Sequence, residues 1–436
     1  MQMLHPSGQM PTNIFALLVV RICINFKVMD NIQTEFALGE LQIDGASYET
    51  EDSNSYTTDL ISVGEKATMG PREVPQSTTV ITRKQIEDGG YTALEDALAD
   101  TPGIMILNND TGRSSIFSRG YEFDYLYFDG LPAPVSSIYG TQPDLSIVDH
   151  VEVLKGPAGL FIGTGEPAGS INMRLKQATA TELKGYTTLS ADSNGQGRVE
   201  VDVSDALNED GTLRGRFVAA YGDGESFVDG VENGVQSYYG TLAWDVTPDT
   251  ELTFSLSHME RDIAPFNGLP AYADNDLIWT DVDATTAPDW NDFDNETTDA
   301  VLAAEHFLAG GGRVKFSMRR SWQDADMLYG YSGSSADADN TISSLSWLAR
   351  EFDQDSLALD LHAELPFALG GWDATAIVGA DWQKVESTMS GARGSISGSW
   401  DLDDWNAGAI AKPAYSYSSR TETETTSQDD AALEYL

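Results

Sequence analysis

From Leu183 onward, apolar and polar residues alternate with a period of two, and this pattern limits the possible folds more than any other feature of the chain. Leu252, Phe254 and Leu256 alternate with Glu251, Thr253, Ser255 and Ser257. Upstream, Tyr238, Leu242, Trp244 and Val246 alternate with Ser237, Tyr239, Thr241 and Asp245. Val314, Phe316 and Met318 stand against Arg313, Lys315 and Ser317, and Leu357, Leu359 and Leu361 against Ser356, Asp360 and His362. Successive side chains of a strand point to opposite faces, so each run makes a strand with one apolar and one polar face. Such strands suit a barrel with lipid outside and water inside. The connections agree, because membrane barrels join strands by short turns at one end and long loops at the other. Thr247–Thr250, Gly310–Gly312 and Leu365–Gly371 are short, whereas Arg261–Thr297 and Gln323–Asp355 are long and rich in Asp, Asn, Gly and Ser. A soluble β-sandwich alternates too, but it does not sort its loops by length.

Before this region the pattern is mixed. Between Val74 and Lys176, Thr82-x-x-Gln85 and Thr92-x-x-Glu95 have the capping-box spacing, and each predicts a short helix. Gly89-Gly90 ends the first, and Thr101-Pro102-Gly103 the second. Ile104–Ile106, Tyr125–Phe128, Val151–Leu154 and Ile171–Leu175 read as strands, with Asp129-Gly130 and Gly156-Pro157 as turns. Further upstream, Met29–Thr58 is acidic and aperiodic and reads as linker. The apolar run Ile14–Val20 lacks a preceding Lys or Arg and is followed at once by Arg21, so it does not read as a signal peptide.

The formal net charge of −44 opposes binding to a phosphate backbone, so nucleic acid is not an expected partner. A single cysteine, Cys23, allows no internal disulfide, and the five histidines show no metal-ligand spacing. No nucleophile, base or metal cluster of catalytic type is present, so an enzyme is not expected. Gly163-Thr-Gly165-Glu-Pro-Ala-Gly169 is no dinucleotide loop, since it contains Pro167 and leads into a strand-like run instead of opening a helix. Asp274, Asp276, Asp281, Asp283, Asp289, Asp292 and Asp294 make the first long loop acidic, without the twelve-residue pattern of a calcium loop, and it reads as a solvated loop.

Four blocks then stand out in order: Arg119-Gly120-Tyr121, Tyr125–Gly130, Val151–Pro157 and Gly163–Asn172. They resemble the plug domain of TonB-dependent outer-membrane receptors. Tyr56-Thr-Thr58 and Pro71–Ser77 are worded like the ferric-siderophore branch. The resemblance implies a mostly β chain: an α+β plug followed by part of an antiparallel transmembrane β-barrel. Its boundaries would be an atypical N-terminal segment and acidic linker at 1–58, a TonB-contact segment and linker at 59–73, the plug at 74–180 and barrel strands at 181–436. Counting from Leu183 gives nine strands, the last running from Asp373 to about Met389, and a tenth beginning near Thr421. Barrels that enclose a plug have about 22 strands, so the expectation is that the sequence stops inside the barrel. An open barrel edge in lipid would leave backbone groups unpaired, so a remnant without activity is one alternative.

By the same resemblance the protein would sit in the bacterial outer membrane, bind a ferric siderophore as cargo and import it with energy from TonB, using no cofactor. Another scarce nutrient is an alternative cargo. A signal-transducing receptor is a further alternative, which would need a folded domain before Asp59, for which only Phe26–Ile43 is available. Arg119 and Lys155 occupy the two basic motif positions whose cations lock plug to barrel in relatives, with Glu152 as a counter-ion within the plug. Ligand contacts would come from the plug loops, with Asn109, Arg113, Ser115, Tyr139 and Gln142 as candidates. Arg113 has the planar donor fork for a carboxylate or hydroxamate oxygen, and Tyr139 can stack on a chelate. Asp59, Leu60, Ile61 and Val63 are the TonB-contact candidates, in a segment able to add as a strand to a sheet edge.

Overall fold

The computed structural model describes residues 18–23, 49–63, 67–72, 74, 76–110, 112–123, 125–134, 140–157, 167–369 and 372–435. Tyr139, Phe26–Ile43, Gly163–Gly165 and most of the Ile14–Val20 run lie outside the described residues. Strand β1 is Leu18–Cys23, and a small hairpin follows, β2 (Ile61–Val63) and β3 (Ala67–Met69). The plug contains β4 (Ser77–Ile81), α1 (Arg83–Gly89), α2 (Leu94–Leu98), β5 (Ile104–Leu107), β6 (Ser115–Ser118), β7 (Tyr121–Glu122), β8 (Tyr125–Phe128), β9 (Leu131–Pro134), β10 (Val148–Lys155) and β11 (Gly169–Leu175). The wall strands are β12 (Lys184–Ala191), β13 (Gly197–Ala206), β14 (Leu213–Asp223), β15 (Asn233–Thr247), β16 (Thr250–Ile263), β17 (Asp292–Phe307), β18 (Arg313–Ser332), β19 (Thr341–Leu369), β20 (Trp372–Asp401) and β21 (Ser418–Tyr435).

Helix α1 forms with the reciprocal capping box read from its sequence: the Gln85 amide donates to Thr82 Oγ1 and the Thr82 amide to Gln85 Oε1 at 2.9 Å. Gly90 ends it in the left-handed region, at φ 63°. The second expected box does not form. Helix α2 starts at Leu94 behind an uncapped Ala93. Its would-be N3 residue, Glu95, is buried and accepts the amide of Gly112 instead. The distant Gly112 amide wins the carboxylate from the local cap.

The plug sheet has the order β4-β10-β11-β8-β9, antiparallel except for β11 with β8, and β5-β6-β7 form a second small sheet. Ile86, Leu94 and Leu98 of the helices pack against Val151, Val153, Ile171 and Met173 of the central strands. Gly169 opens β11 at φ +123°, and a Cβ there would stand 1.9 Å from the Leu154 carbonyl oxygen, so only glycine fits.

Strands β12 to β21 pair in sequence order, all antiparallel, and β1 lies on the free edge of β12 with Leu18 opposite Ala191 and Cys23 opposite Tyr186. The wall is polar within and apolar without. Phe254 and Leu256 are 45% and 46% exposed, whereas Ser255 between them is 5% exposed and faces the plug side. The nine strands from Leu183 and the tenth near its C-terminal end appear as read, but several reach further. The expected loop Gln323–Asp355 is mostly ladder, leaving only 333–340 as connection, and the loop after β16 shrinks to 264–291. Asp292 and Asp294, read as loop, belong to β17. The strand expected to end at Met389 runs to Asp401, and the turn read at Leu365–Gly371 is ladder through Leu369. About 9–11 residues cross a bilayer, whereas β19 and β20 have 29 and 30. Above the lipid one face of these strands carries the cluster of Phe293, Met327 and Phe352 and the other packs Leu328, Leu345 and Ala349 against Trp290 and Leu402, so apolar residues stand on both faces and the alternation fades while the hydrogen-bond ladder continues.

Plug and wall meet largely through charge. Arg198 of β13 grips Asp144 with two hydrogen bonds of 2.9 and 2.6 Å. Lys176 reaches Asp202 at 2.8 Å, and Arg216 bridges Asp202 to Glu51. Tyr239 donates to the Lys176 carbonyl, and Arg319 to the Pro132 carbonyl while lying over the Phe128 ring. Burial pushes the Asp144 carboxyl up, but the Arg198 guanidinium and the Ser146 hydrogen bonds outweigh it and hold the carboxyl below its ordinary range.

Gly169→Ala is expected to abolish stable plug folding, because neither the φ nor the carbonyl contact admits a Cβ. Protease resistance of the plug checks this, and a wild-type digestion pattern would contradict it. Asp144→Ala strands a buried guanidinium and should cost about 3–5 kcal/mol. Urea unfolding followed by tryptophan fluorescence measures the loss, and one below about 1 kcal/mol would show that the pair does not hold the plug.

Candidate functional site

Above the plug, residues 108–110 and 112–115 of the apex loop meet the inner surface of β16 to β18. Asn109 is exposed, and its side-chain amide donates to the Arg113 carbonyl at 3.2 Å. Arg113 is buried: its guanidinium pairs with Asp110 at 2.7 Å, lies over the Phe293 ring at 4.6 Å and reaches Met327 Sδ at 3.3 Å. Ser115 opens β6 and is buried. Gln142 is buried too, with its amide donating to Gly112 O at 2.7 Å and its side chain to Ser114 O at 2.6 Å. The fold thus gathers these four candidates at one apex. Arg113 and Gln142 tie the apex to itself and to the wall, and Asn109 is the one of the four that faces open space.

The wall opposite was not among the sequence candidates. In β18 the inward positions are Ser317, Arg319, Ser321 and Gln323 beside the plug, then Ala325, Met327, Tyr329 and Tyr331 above it. Register places Leu348, Arg350 and Phe352 of β19 next to them, and Met389 of β20 opposite Phe352. Ile263, Phe293, Ala325, Met327 and Phe352 form one cluster, with Tyr329, Leu348 and Met389 packed on it. The Tyr329 and Tyr331 rings are 5.5 Å apart, and Arg350 stands on the neighbouring strand opposite Met327. Such a surface stacks flat rings and attracts an anionic group. The signal was present in the sequence as a change of chemistry in phase: the face that is polar up to Gln323 becomes aromatic at Tyr329.

At the other end of the plug, Ile61–Val63 is not free but paired with β3, Ile61 opposite Met69 and Val63 opposite Ala67. Ile61 is buried among Val74, Tyr127, Leu154 and Ile377. Leu60 is half-buried and Asp59 exposed. Residues 49–58, read as linker, are tied down: the Thr50 and Glu51 amides donate to the Asp149 carboxylate, each at 2.8 Å, Thr82 Oγ1 donates to the Ser55 carbonyl at 2.7 Å, and the Glu51 carboxylate pairs with Arg216.

Arg119 takes a left-handed backbone, φ 54°, and is exposed, with its guanidinium against Gly156. Lys155 donates to Thr79 Oγ1 at 3.1 Å and to the Pro102 carbonyl at 2.9 Å. Among the described residues neither cation meets a wall carboxylate, and the closer ionic contacts to the wall are those of Asp144, Lys176 and Glu51, beside an exposed Asp52–Lys184 pair at 3.4 Å. No sequence motif marked those three. Glu152 accepts from Asn172 and from the Ser62 amide, both at 2.8 Å, with Arg174 at 3.4 Å.

A family model, the TonB-dependent receptor plug domain, matches residues 70–170. The ferripyoverdine receptor of Pseudomonas aeruginosa is 34% identical over 342 residues, covering 76% of this chain and 41% of that protein. The ferric-pyoverdine BN7/BN8 receptor of Pseudomonas putida is 31% identical over 418 residues, covering 90% of this chain and 51% of that protein. A crystal structure of the ferripyoverdine receptor of the outer membrane of Pseudomonas aeruginosa, bound to ferripyoverdine, superposes with a TM-score of 0.82 at 29% identity, over 89% of this chain and 53% of that one. The chain spans about half the length of the curated relatives it matches. In sequence and in fold it belongs to the TonB-dependent outer-membrane receptors, as their plug domain and consecutive strands of their barrel wall.

Proposed function

We propose that the protein acts as an outer-membrane receptor that binds a ferric siderophore of the pyoverdine kind and imports it by TonB-driven rearrangement of the plug. The observation that carries this reading is the aromatic and cationic wall of Tyr329, Tyr331, Phe352 and Arg350 standing over the plug apex. A siderophore arrives with its iron fully coordinated, so the receptor need supply no metal ligands. What it must supply is a stacking surface for flat chelating rings and charge complementary to the chelate. The names of the relatives favour a pyoverdine over other cargoes.

Import requires that binding above be felt below. In this reading Asp59, Leu60, Ile61 and Val63 form the segment that TonB captures by strand addition, after the β2–β3 pairing gives way. Charged plug–wall contacts suit such motion, since ion pairs can exchange for water once a path opens, whereas a continuous apolar interface would resist it.

Tyr331→Ala is expected to weaken ferripyoverdine binding about tenfold, read by quenching of intrinsic fluorescence. Unchanged affinity in both Tyr331→Ala and Arg350→Ala would sink the vestibule assignment. Ile61→Pro, which removes a ladder donor from β2, should leave that affinity intact and reduce uptake of radioactive iron to background. Normal uptake by this variant would remove residues 59–63 from the coupling step.

A further inference from the structure

One buried cluster of the plug takes part in neither ligand contact nor the wall. The β10–β11 register shifts between Val148 and His150, which makes Asp149 an extra residue and turns its carboxylate toward the neighbouring imidazole. Asp149 Oδ2 lies 2.5 Å from His150 Nδ1, and His150 Nε2 lies 3.6 Å from Glu152 Oε1. All three side chains are 3% exposed or less.

Both carboxylates hold the segment that leads into the plug. Asp149 takes the Thr50 and Glu51 amides, and Glu152 takes the Ser62 amide. Thr50 is held a second time, its hydroxyl accepting the Arg83 amide at 2.9 Å. The chain between residues 51 and 62 is therefore a strap fastened at both ends to one plug strand, with two lighter ties between them, Thr82 Oγ1 to the Ser55 carbonyl at 2.7 Å and the Tyr56 hydroxyl to Asp88 at 2.5 Å. We propose that Asp149, His150 and Glu152 form a two-ended clasp on this strap, with the imidazolium letting the two carboxylates stand side by side, and that opening the clasp frees residues 50–62 for capture from below.

Two buried carboxylates this close repel unless a cation stands between them. Burial disfavours the charged imidazole, but its hydrogen bond to Asp149 and the charges of Glu152 and Asp149 prevail and push its pKa up to about 9, so His150 is cationic at neutral pH. Arg174 of β11 lies beside Glu152, and Arg216 of the wall holds Glu51. The clasp also borders a cavity of about 290 Å³ between plug and wall, whose charged lining includes Asp129, Glu251, Glu305, Arg313 and Lys315. Its side chains can part into this space without disturbing the plug core. That the strap is the coupling segment rests on the function proposed above, whereas the clasp itself does not.

Amide hydrogen exchange on the full chain in detergent micelles tests the clasp, with a separate signature for each residue. Asp149→Ala should speed exchange at Thr50 and Glu51 about tenfold and leave Ser62 unchanged. Glu152→Ala should do the reverse, and His150→Gln should speed all three. The Val153 and Ile171 amides report whether the plug stays folded, and Asp149→Asn, which keeps the side-chain volume, replaces Asp149→Ala if that protection is lost. Release of all three amides together by every variant, or by none, would overturn the proposal. A second readout is capture of His150→Gln protein by the periplasmic domain of TonB, expected to rise about tenfold. The predicted exchange pattern with unchanged capture would leave the clasp standing and remove the coupling role of the strap.

Discussion

In a bilayer no water is available to the backbone, so every amide and carbonyl within the lipid must be paired by the protein itself. That requirement shapes the rest of this chain. It calls for an unbroken antiparallel ladder, which β12 to β21 provide in sequence order, with β1 on the edge of β12. The ladder in turn sends alternate residues to lipid and lumen, so the inner surface is left to polar side chains such as Ser255, Asp299, Ser317 and Asp360. A plug docked against such a surface finds few apolar contacts. Val218 and Tyr239 join its core, Leu131 meets Val301 and Ala358, and Ile377 joins the cluster of Ile61, Tyr127 and Leu154, while the remaining contacts are largely charges and hydrogen bonds.

Attachment of this kind is specific without being greasy. Asp144, Lys176 and Glu51 each meet a defined wall partner at hydrogen-bonding distance, which fixes the plug's orientation and with it the apex. The apex then spends its own polar groups on position. Arg113 and Gln142, the residues with the best chemistry for a ligand, hold the loop against Phe293, Met327, Gly112 and Ser114. Under the proposed function the surface left for a chelate is the wall above, where aromatic side chains replace the serines and the glutamine lower down the same strand.

The fold was legible in the sequence wherever one physical rule governed a stretch of chain. The alternation around Phe254 and Leu256 reports lipid on one side, and it located the strands. Thr82 and Gln85 bind each other's backbone, a purely local exchange, and the first helix formed as read. Legibility failed where a distant partner intervened. Glu95 had the spacing of a cap but was claimed by Gly112, and Thr50 and Glu51 looked like linker because Asp149 lies 98 or more residues away. The upper halves of β18 to β20 were missed because apolar clusters on both faces, around Met327 on one and Leu328 on the other, erase the alternation. In the candidate site, the apex loop could be located from its motif neighbours, but which of its groups face the ligand depends on contacts with a wall that no local pattern describes.

The central claim is that the aromatic wall above the plug receives an iron chelate. A structure of the protein soaked with ferripyoverdine tests it most directly. The account predicts chelate density against Tyr329, Tyr331 and Arg350, with the exposed Asn109 side chain beneath it. Density elsewhere on the molecule, with this wall left bare at saturating chelate, would contradict it.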